Sequence, residues 1–410
     1  MSDDRVMAIV GAGHVGGRAA QTLREAGWRG GIALIGAEPH LPYERPPLSK
    51  AVLTDSDEAA ILPLRSRDAW REDAIDHLIA SVRSLDTAER VVRLHDGREI
   101  RYESLLIATG GHARNLTIPG ADSPGVFRLR TLDDALKIKP RLRPEARVVV
   151  IGGGFIGLEV AASARTRGCN VVVVEGGSRL LGRAVPATIA AHAQALHERN
   201  GVQCLLGSAP NAIEPLEDGT LAVMFGGKER LVADTVIVGI GIQPADELAR
   251  AAGIQVDRGI IVGETLETSA PNVYAAGDVA LFPSRFGTHR IRQETWHNAE
   301  TQSRLAARNM LGEREAYREL PWFWSDQYDH QLQVAGEPAL GRQSVVRTLA
   351  GGAQIHFELD ANGGLVAASG FGLTSALAKE MRVARMLVER SAAVTPGQLS
   401  NVEVKLKGLL

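Results

Sequence analysis

Cysteine is nearly absent from this chain. Its 410 residues hold two, Cys169 and Cys204, 35 positions apart and outside any C-x-x-C or metal-ligand spacing. That scarcity excludes a disulfide framework and a dithiol redox centre, and it fits a reducing compartment. The histidines offer no metal site, since His289 and His297 stand eight residues apart without ligand spacing. Charge of one sign is not in excess, and a net −2 gives no general affinity for nucleic acid. Long hydrophobic runs are missing too. The most apolar long stretch, Val148 to Ala164, contains three consecutive glycines and Glu159, so it reads as strand, turn and helix and not as a membrane span. The opening Met1-Ser2-Asp3-Asp4-Arg5 is acidic and runs straight into a strand, unlike a signal peptide, so a cytoplasmic protein is expected. Aromatics make up only 4 % of the chain, yet three of the five tryptophans (Trp296, Trp322, Trp324) fall between 296 and 324. That clustering marks either an aromatic surround or a domain interface.

What the chain does have is a glycine signature, twice. Gly11-Ala12-Gly13-His14-Val15-Gly16 follows the apolar run Val6–Val10, and Gly152-Gly153-Gly154-Phe155-Ile156-Gly157 follows Val148–Ile151. In G-x-G-x-x-G the first glycine makes the tight turn and the second lets backbone approach a pyrophosphate. The third allows helix to pack on strand, with the helix N-terminus facing the phosphates. Each copy is preceded by a strand pattern and followed by a helix pattern, about Val15–Ala26 and Ile156–Arg167. Two such sites in one chain imply two dinucleotides held together.

The parallel extends further. Ser104–Gly110 and Asp234–Gly241 are both buried-type strands ending at glycine, which marks an internal duplication of one nucleotide-binding domain. A third such signal, Asn272-Val273-Tyr274-Ala275-Ala276-Gly277-Asp278, lies well beyond the second copy, so the first domain is expected to complete its fold there. The length suits two or three domains. The predicted fold class is α/β, with two Rossmann-like dinucleotide-binding domains (residues 1–113 with 245–320, and 114–244) and a small α+β domain over 321–410. In the last region short strand-like runs (Leu332–Ala335, Ser344–Arg347, Ile355–Leu359) surround the turn Asp360–Gly364, ahead of a helix over Ser375–Arg390.

An acidic residue after the second strand of such a unit accepts hydrogen bonds from a ribose 2′-hydroxyl. Glu38 stands 27 residues after Gly11, and Glu175 stands 23 after Gly152. A carboxylate at 175 repels the 2′-phosphate of NADPH and favours NADH, a preference that nearby Arg179 and Arg183 soften. In Tyr43-Glu44-Arg45-Pro46-Pro47-Leu48-Ser49-Lys50 two prolines stiffen a segment between two cations. Glu159 interrupts the first turn of an otherwise apolar helix, where it either serves a ligand, pairs with Lys50, or answers the helix dipole.

These motifs occur in a fixed order: the Gly11 turn, Arg45–Lys50, Ala108-Thr109-Gly110, the Gly152 turn, Ala275-Ala276-Gly277-Asp278 and Trp322-Phe323-Trp324-Ser325-Asp326-Gln327. In that order the chain resembles the FAD-dependent ferredoxin reductases of bacterial Rieske oxygenase and cytochrome P450 systems, which are glutathione-reductase-like flavoproteins. The resemblance covers nearly the whole chain. It implies FAD at the first site (Gly11, Gly13, Gly16, Glu38, Arg45, Thr109, Gly110, Gly277) and NADH at the second (Gly152, Gly154, Gly157, Glu175, Arg183, Gly241). It further implies that Asp278 bonds the ribityl chain, that Arg130 contacts FAD, that Lys50 and Glu159 lie near the isoalloxazine, and that Trp296 and Trp324 flank it. Ala37 departs from the family, where an acid is common.

Relatives that reduce disulfides carry a thiol pair in the first domain's helix or loop or as C-x-x-C in the nucleotide domain. Related oxidases and peroxidases carry a single cysteine in the segment corresponding to 36–55. None of these places has one here. Lys50, Glu159 and Trp324 are therefore expected to position cofactors for hydride transfer from NADH to FAD. Electrons then leave singly to an acidic 2Fe–2S ferredoxin. Arg65, Arg67, Arg71, Arg285, Arg290 and Arg292 are candidates for its docking face. A rubredoxin reductase, an NADH oxidase or quinone reductase, and a signalling flavoprotein like apoptosis-inducing factor are the alternatives, and a monomer or homodimer suits each.

Overall fold

Near-continuous apolar runs suit strands buried on both faces, and the first sheet is built from them except at its edge strand Asp76–Ile79. The computed structural model describes residues 4–55, 61–182, 184–227 and 229–410. The chain divides into two compact units, one within Met1–Pro46, Ile61–His112 and Ile242–Glu319, the other within Pro47–Ala60, Ala113–Gly241 and Leu320–Leu410.

In the first unit five parallel strands run in the order Val273–Ala275, Ser104–Ile107, Val6–Val10, Gly31–Gly36, Asp76–Ile79. Met7, Ile9, Ile32, Leu34, Leu105, Leu106 and Ile107 are fully buried in its core. Val273–Ala275, distant in sequence, thus returns to the N-terminal sheet. Helices His14–Glu25 and Trp296–Met310 pack against each other in this unit.

The second unit repeats the plan. Its parallel strands run Val126–Arg128, Thr235–Val238, Arg147–Ile151, Asn170–Glu175, Gln203–Leu206. The order matches the first sheet strand for strand, with one difference. The edge strand beside the closing strand comes from before the repeat (Val126–Arg128) in one unit and from after it (Val273–Ala275) in the other. The sequence pattern did not reveal the strand at 126–128.

Residues 322–373 form a five-stranded antiparallel sheet in the order Trp322–Gln327, His330–Gly336, Leu365–Leu373, Gln354–Leu359, Gln343–Thr348. Helix Thr374–Glu389 covers it with Leu377, Met381, Ala384, Leu387 and Val388, a stripe at helical spacing. The approach is close: a Cβ at Gly370 would lie 2.6 Å from Met381 Sδ. Among the described residues, no helix is long and apolar enough to cross a membrane.

Candidate functional site

The two glycine turns have the same geometry in detail. Gly11 and Gly152 have φ of +114° and +110°, where a side chain is strained, and a Cβ there would meet Ala108 O at 2.2 Å or Gly239 O at 2.5 Å. A Cβ at Gly16 or Gly157 would strike the carbonyl of Gly11 or Gly152 at 1.9 or 2.0 Å. These four glycines are required by the protein's own packing. Gly13 and Gly154 are not. Their φ values, −85° and −82°, suit any residue. A Cβ at Gly154 has nothing within 4 Å, and one at Gly13 has only Arg45 Nη2, at 3.7 Å. Each glycine is also the N-cap of its helix and makes no side-chain cap bond. Open space above two uncapped helix N-termini fits an anionic group at both places, with the bare backbone reserved for its approach.

In the first unit Arg45 reaches that opening. Its Nη2 lies 2.8 Å from Glu38 Oε1, while Tyr43 donates its hydroxyl to Glu38 Oε2 at 2.6 Å. Glu38 therefore holds Arg45 over the helix mouth as well as standing where a ribose acid is expected. Gly277, with φ +81°, sits so close to the same helix that a Cβ would lie 2.5 Å from Val15 Cγ2, and its N–H donates to Gln302 Oε1 at 2.8 Å. Asp278 follows in the turn Gly277–Val279. Trp296 starts the helix that carries Glu300 and stands edge-on to His14 at 5.5 Å. His14 Nε2 and Arg18 Nε each lie 2.9 Å from Glu300 Oε2, and Arg304 holds the other oxygen. Burial opposes the charge on Glu300, yet bonds from His14, Arg304 and Arg18 overcome it and bring the carboxyl down to about 2. Thr109 and Gly110 serve the backbone: Thr109 Oγ1 donates to Ala245 O at 2.7 Å, and Gly110 O accepts from Ala245 N at 3.0 Å.

In the second unit Glu175 ends its strand and grips the glycine turn. Its Oε2 accepts from Gly153 N at 2.8 Å and its Oε1 from Gly177 N at 2.6 Å. Arg179 donates to Val185 O at 3.1 Å, and Arg183 lies outside the described residues. Gly241 takes φ +95°, and its carbonyl accepts from Arg114 N at 2.9 Å. The backbone N–H of Arg130 donates to Asp134 Oδ2 at 3.0 Å, leading into helix Leu132–Ile138.

Glu159 departs from the expected position. The helix begins at Phe155, so Glu159 lies in its second turn, past the orphan N–H groups, and side chains hold it instead. Its side chain is 5 % exposed. Lys50 Nζ lies 2.8 Å from Oε2, Ser49 Oγ donates to Oε2 at 2.5 Å, and Ser325 Oγ donates to Oε1 at 2.7 Å. One helix face anchors the whole Lys50 segment: Ser163 donates to Ser49 O at 2.7 Å and Arg167 to Leu53 O at 3.2 Å. The spacing 159, 163, 167 is one stripe along a helix, a signal already present in the sequence.

Lys50 and Glu159 are thus brought together; Trp324 is not part of their cluster. Along strand Trp322–Gln327, Ser325 and Gln327 are buried, while Trp322, Trp324 and Asp326 alternate to the other face. Trp324 stacks on Trp322 at 5.1 Å and donates Nε1–H to Asp326 Oδ2 at 3.0 Å. With Gln331, Gln333, Ala378, Arg382 and Arg385 the two indoles line a groove of about 380 Å³.

The thiols are unsuited to redox work. Burial raises Cys169, whose Sγ donates to Arg143 O at 3.2 Å, and pushes Cys204 to about 11. Cys204 is half-buried, on the edge strand Gln203–Leu206. Among the arginines considered for docking, Arg65 pairs with Asp73 at 2.5 Å, Arg71 with Asp68 at 3.6 Å and Arg292 with Glu294 at 2.6 Å, and Arg290 donates to Val262 O.

Two nucleotide cradles and no reactive thiol define a two-dinucleotide oxidoreductase. Residues 5–303 match the pyridine nucleotide-disulphide oxidoreductase family and residues 322–410 the reductase C-terminal family, and the chain belongs to these flavin- and nicotinamide-dependent reductases. It is 42 % identical, over 98 % of each chain, to the anthranilate 1,2-dioxygenase system ferredoxin–NAD(+) reductase component of Burkholderia cepacia. Among solved structures it is similar to the ferredoxin reductase for the CYP199A2 system from Rhodopseudomonas palustris (TM-score 0.93, 37 % identity, 99 % of each chain). It is equally similar in fold to putidaredoxin reductase in its covalent complex with putidaredoxin (TM-score 0.93, 35 % identity, 100 % of this chain and 98 % of the other).

Proposed function

We propose that this protein is an NADH-dependent ferredoxin reductase of the cytoplasm that feeds an oxygenase or a P450. The observation that carries the reading is the pair of open glycines, Gly13 and Gly154, above uncapped helix N-termini in a chain whose only two cysteines are protonated. When bound, FAD accepts hydride from NADH and releases electrons one at a time. The protein's part is to hold, orient and shield. Gly11, Gly13, Gly16, Glu38, Arg45, Thr109, Gly110, Gly277, Asp278 and Trp296 hold FAD, with Arg130 contributing. Gly152, Gly154, Gly157, Glu175, Arg183 and Gly241 hold NADH. Lys50 and Glu159 orient the reacting rings, and Trp324 shields them. We also propose three domains: FAD-binding (1–113 and 245–320), NAD-binding (114–244) and C-terminal (321–410).

Hydride transfer needs proximity and alignment more than a proton donor, which suits a site whose carboxylate is already saturated with donors. The acceptor is a 2Fe–2S ferredoxin, the kind of partner with which the similar ferredoxin–NAD(+) reductase components and the putidaredoxin complex are associated. The test is NADH-driven cytochrome c reduction with and without a panel of 2Fe–2S ferredoxins at two salt concentrations. Strong stimulation by one ferredoxin, weakened by salt, is expected. Rapid reduction of oxygen or quinone with no ferredoxin response would overturn the reading.

A further inference from the structure

Behind Glu159 a file of buried polar side chains continues into the unit. Ser325 Oγ, which donates to Glu159 Oε1, itself accepts from Gln327 Nε2 at 3.3 Å. Gln327 Oε1 lies 3.1 Å from His197 Nε2, and Tyr328 OH lies 3.5 Å from His197 Nδ1. Ser325 and Gln327 are each 1 % exposed and His197 is wholly buried, on a helix face otherwise made of Ile189, Ala190, Ala193 and Leu196. Burying four polar groups in line is unfavourable unless each is satisfied. We propose that Ser325, Gln327 and His197 are positioning residues. They lock the Glu159 carboxylate, and through it the Lys50 ammonium, in the orientation that the hydride-transfer site uses.

The direction of the file follows from the carboxylate. Glu159 has only acceptors, so Ser325 must spend its one proton on Oε1, and its oxygen must then accept from behind. That demand turns the Gln327 amide nitrogen toward Ser325 and its oxygen toward His197. An oxygen facing His197 Nε2 requires the ring proton on Nε2, leaving Nδ1 to accept from Tyr328. The opposite amide orientation would set the Gln327 oxygen against the Ser325 lone pairs at 3.3 Å, two acceptors with no proton between them. Burial supports the same state, driving the imidazole down to about 4 so that it carries a single proton. Every donor therefore points toward Glu159, and aligned bonds strengthen one another. The amide in the middle has no labile proton to pass on, so the file orients and does not conduct.

Two further features fit a built arrangement. Tyr328, which ends the file, has φ +56°, a backbone state that non-glycine residues adopt at a cost, and its ring stands edge-on to His197 at 5.3 Å. Phe323, on the same strand face as Ser325 and Gln327, packs edge-on against Phe155, the first residue of the Glu159 helix, at 4.9 Å. The strand that carries the file is thereby fixed to the helix that carries its target.

The inference rests on the reductase reading for its purpose, but the geometry is testable without it. Long-range ¹H–¹⁵N spectra of the histidine-labelled full-length holoprotein are expected to show His197 as a neutral Nε2–H ring, assigned by loss of its signal in His197→Phe. Ser325→Ala frees the Gln327 amide and is expected to mix the two His197 tautomers. A wild-type ring with the proton on Nδ1, or with two protons at pH 7, would overturn the proposal. In stopped-flow, Ser325→Ala and Gln327→Leu should slow reduction of the bound flavin at saturating NADH by about tenfold and about fivefold, with the NADH dissociation constant within about twofold of wild type. His197→Gln keeps a donor toward Gln327 and His197→Phe keeps the ring's volume. Positioning predicts that the Gln variant is the faster, whereas a purely structural ring predicts the reverse. If NADH fails to reduce the wild-type flavin, the reductase reading falls while the tautomer result stands.

Discussion

Lys50 Nζ stands 2.8 Å from Glu159 Oε2, at a carboxylate that also takes hydroxyl bonds from Ser49 and Ser325. The ammonium is the more exposed partner, at 24 % against 5 %, so the carboxylate carries most of the desolvation cost. Lys50→Met leaves that carboxylate with neutral donors only. Glu159→Leu leaves the Lys50 ammonium without its carboxylate and removes the acceptor for the Ser49 and Ser325 hydroxyl protons. Each is expected to lower holoprotein stability by about 1–3 kcal/mol in denaturant titrations. The double variant should lose less than the sum of the two, a coupling of about 1–2 kcal/mol. Additive losses would mean that the two side chains do not depend on each other.

The open glycines make a sharper separation of fold from function. Gly157→Ala drives a Cβ to 2.0 Å from Gly152 O and should destabilise the holoprotein measurably. Gly154→Ala meets nothing within 4 Å at an ordinary φ, so stability should stay within about 1 kcal/mol of wild type. The same methyl occupies the space reserved for a pyrophosphate. The KM for NADH should rise by about tenfold or more, with FAD content unchanged. Gly13→Ala is the mirror experiment: FAD content in the purified protein should fall. Unchanged NADH binding in Gly154→Ala would place the nucleotide elsewhere.

Glu175 has both oxygens engaged by backbone, one on Gly153 N and one on Gly177 N. The carboxylate is thus preset at the end of its strand, with lone pairs left for ribose hydroxyls and a charge that repels a 2′-phosphate. Arg179, bonded to Val185 O, is occupied in shaping the following loop. Glu175→Gln is expected to narrow the ratio of kcat/KM for NADH over NADPH by about tenfold, mostly by improving NADPH. A ratio that does not move would assign the preference to other residues.

The parts legible in the sequence were those coded locally. Apolar runs ending at glycine specify buried parallel strands, and Gly11, Gly16, Gly152 and Gly157 are needed for contacts made within one strand–turn–helix unit. The Lys50–Glu159 pairing was only one of several readings, because the partners of Glu159 lie 110 residues before it and 166 after it. Nothing in local periodicity brings Ser49 and Ser325 to one carboxylate. Strand alternation in Trp322–Gln327 would have put Ser325 and Gln327 on one face, but not which face is buried. The strand Val126–Arg128 was missed since three half-buried residues carry little pattern. His14 and Glu300 were missed for the same long-range reason, being 286 residues apart.

That last pair makes a pH-dependent prediction whose sign is fixed. Glu300 is held at about 2, well below its ordinary range, by His14, Arg304 and Arg18 acting against burial. A depressed carboxyl adds stability that is fully present above the unfolded value, near 4.5, and is lost as pH falls toward the folded value. The side chain is only 12 % exposed, so the contribution at neutral pH is about 3 kcal/mol. Glu300→Gln should therefore be less stable than wild type at pH 7 by an amount of that order. The gap should begin to close below about pH 4.5 and largely vanish near pH 2. Denaturant midpoints of both proteins across that range give the measurement. A constant difference down to pH 3 would show that Glu300 acts through packing of helices His14–Glu25 and Trp296–Met310 and not through its charge.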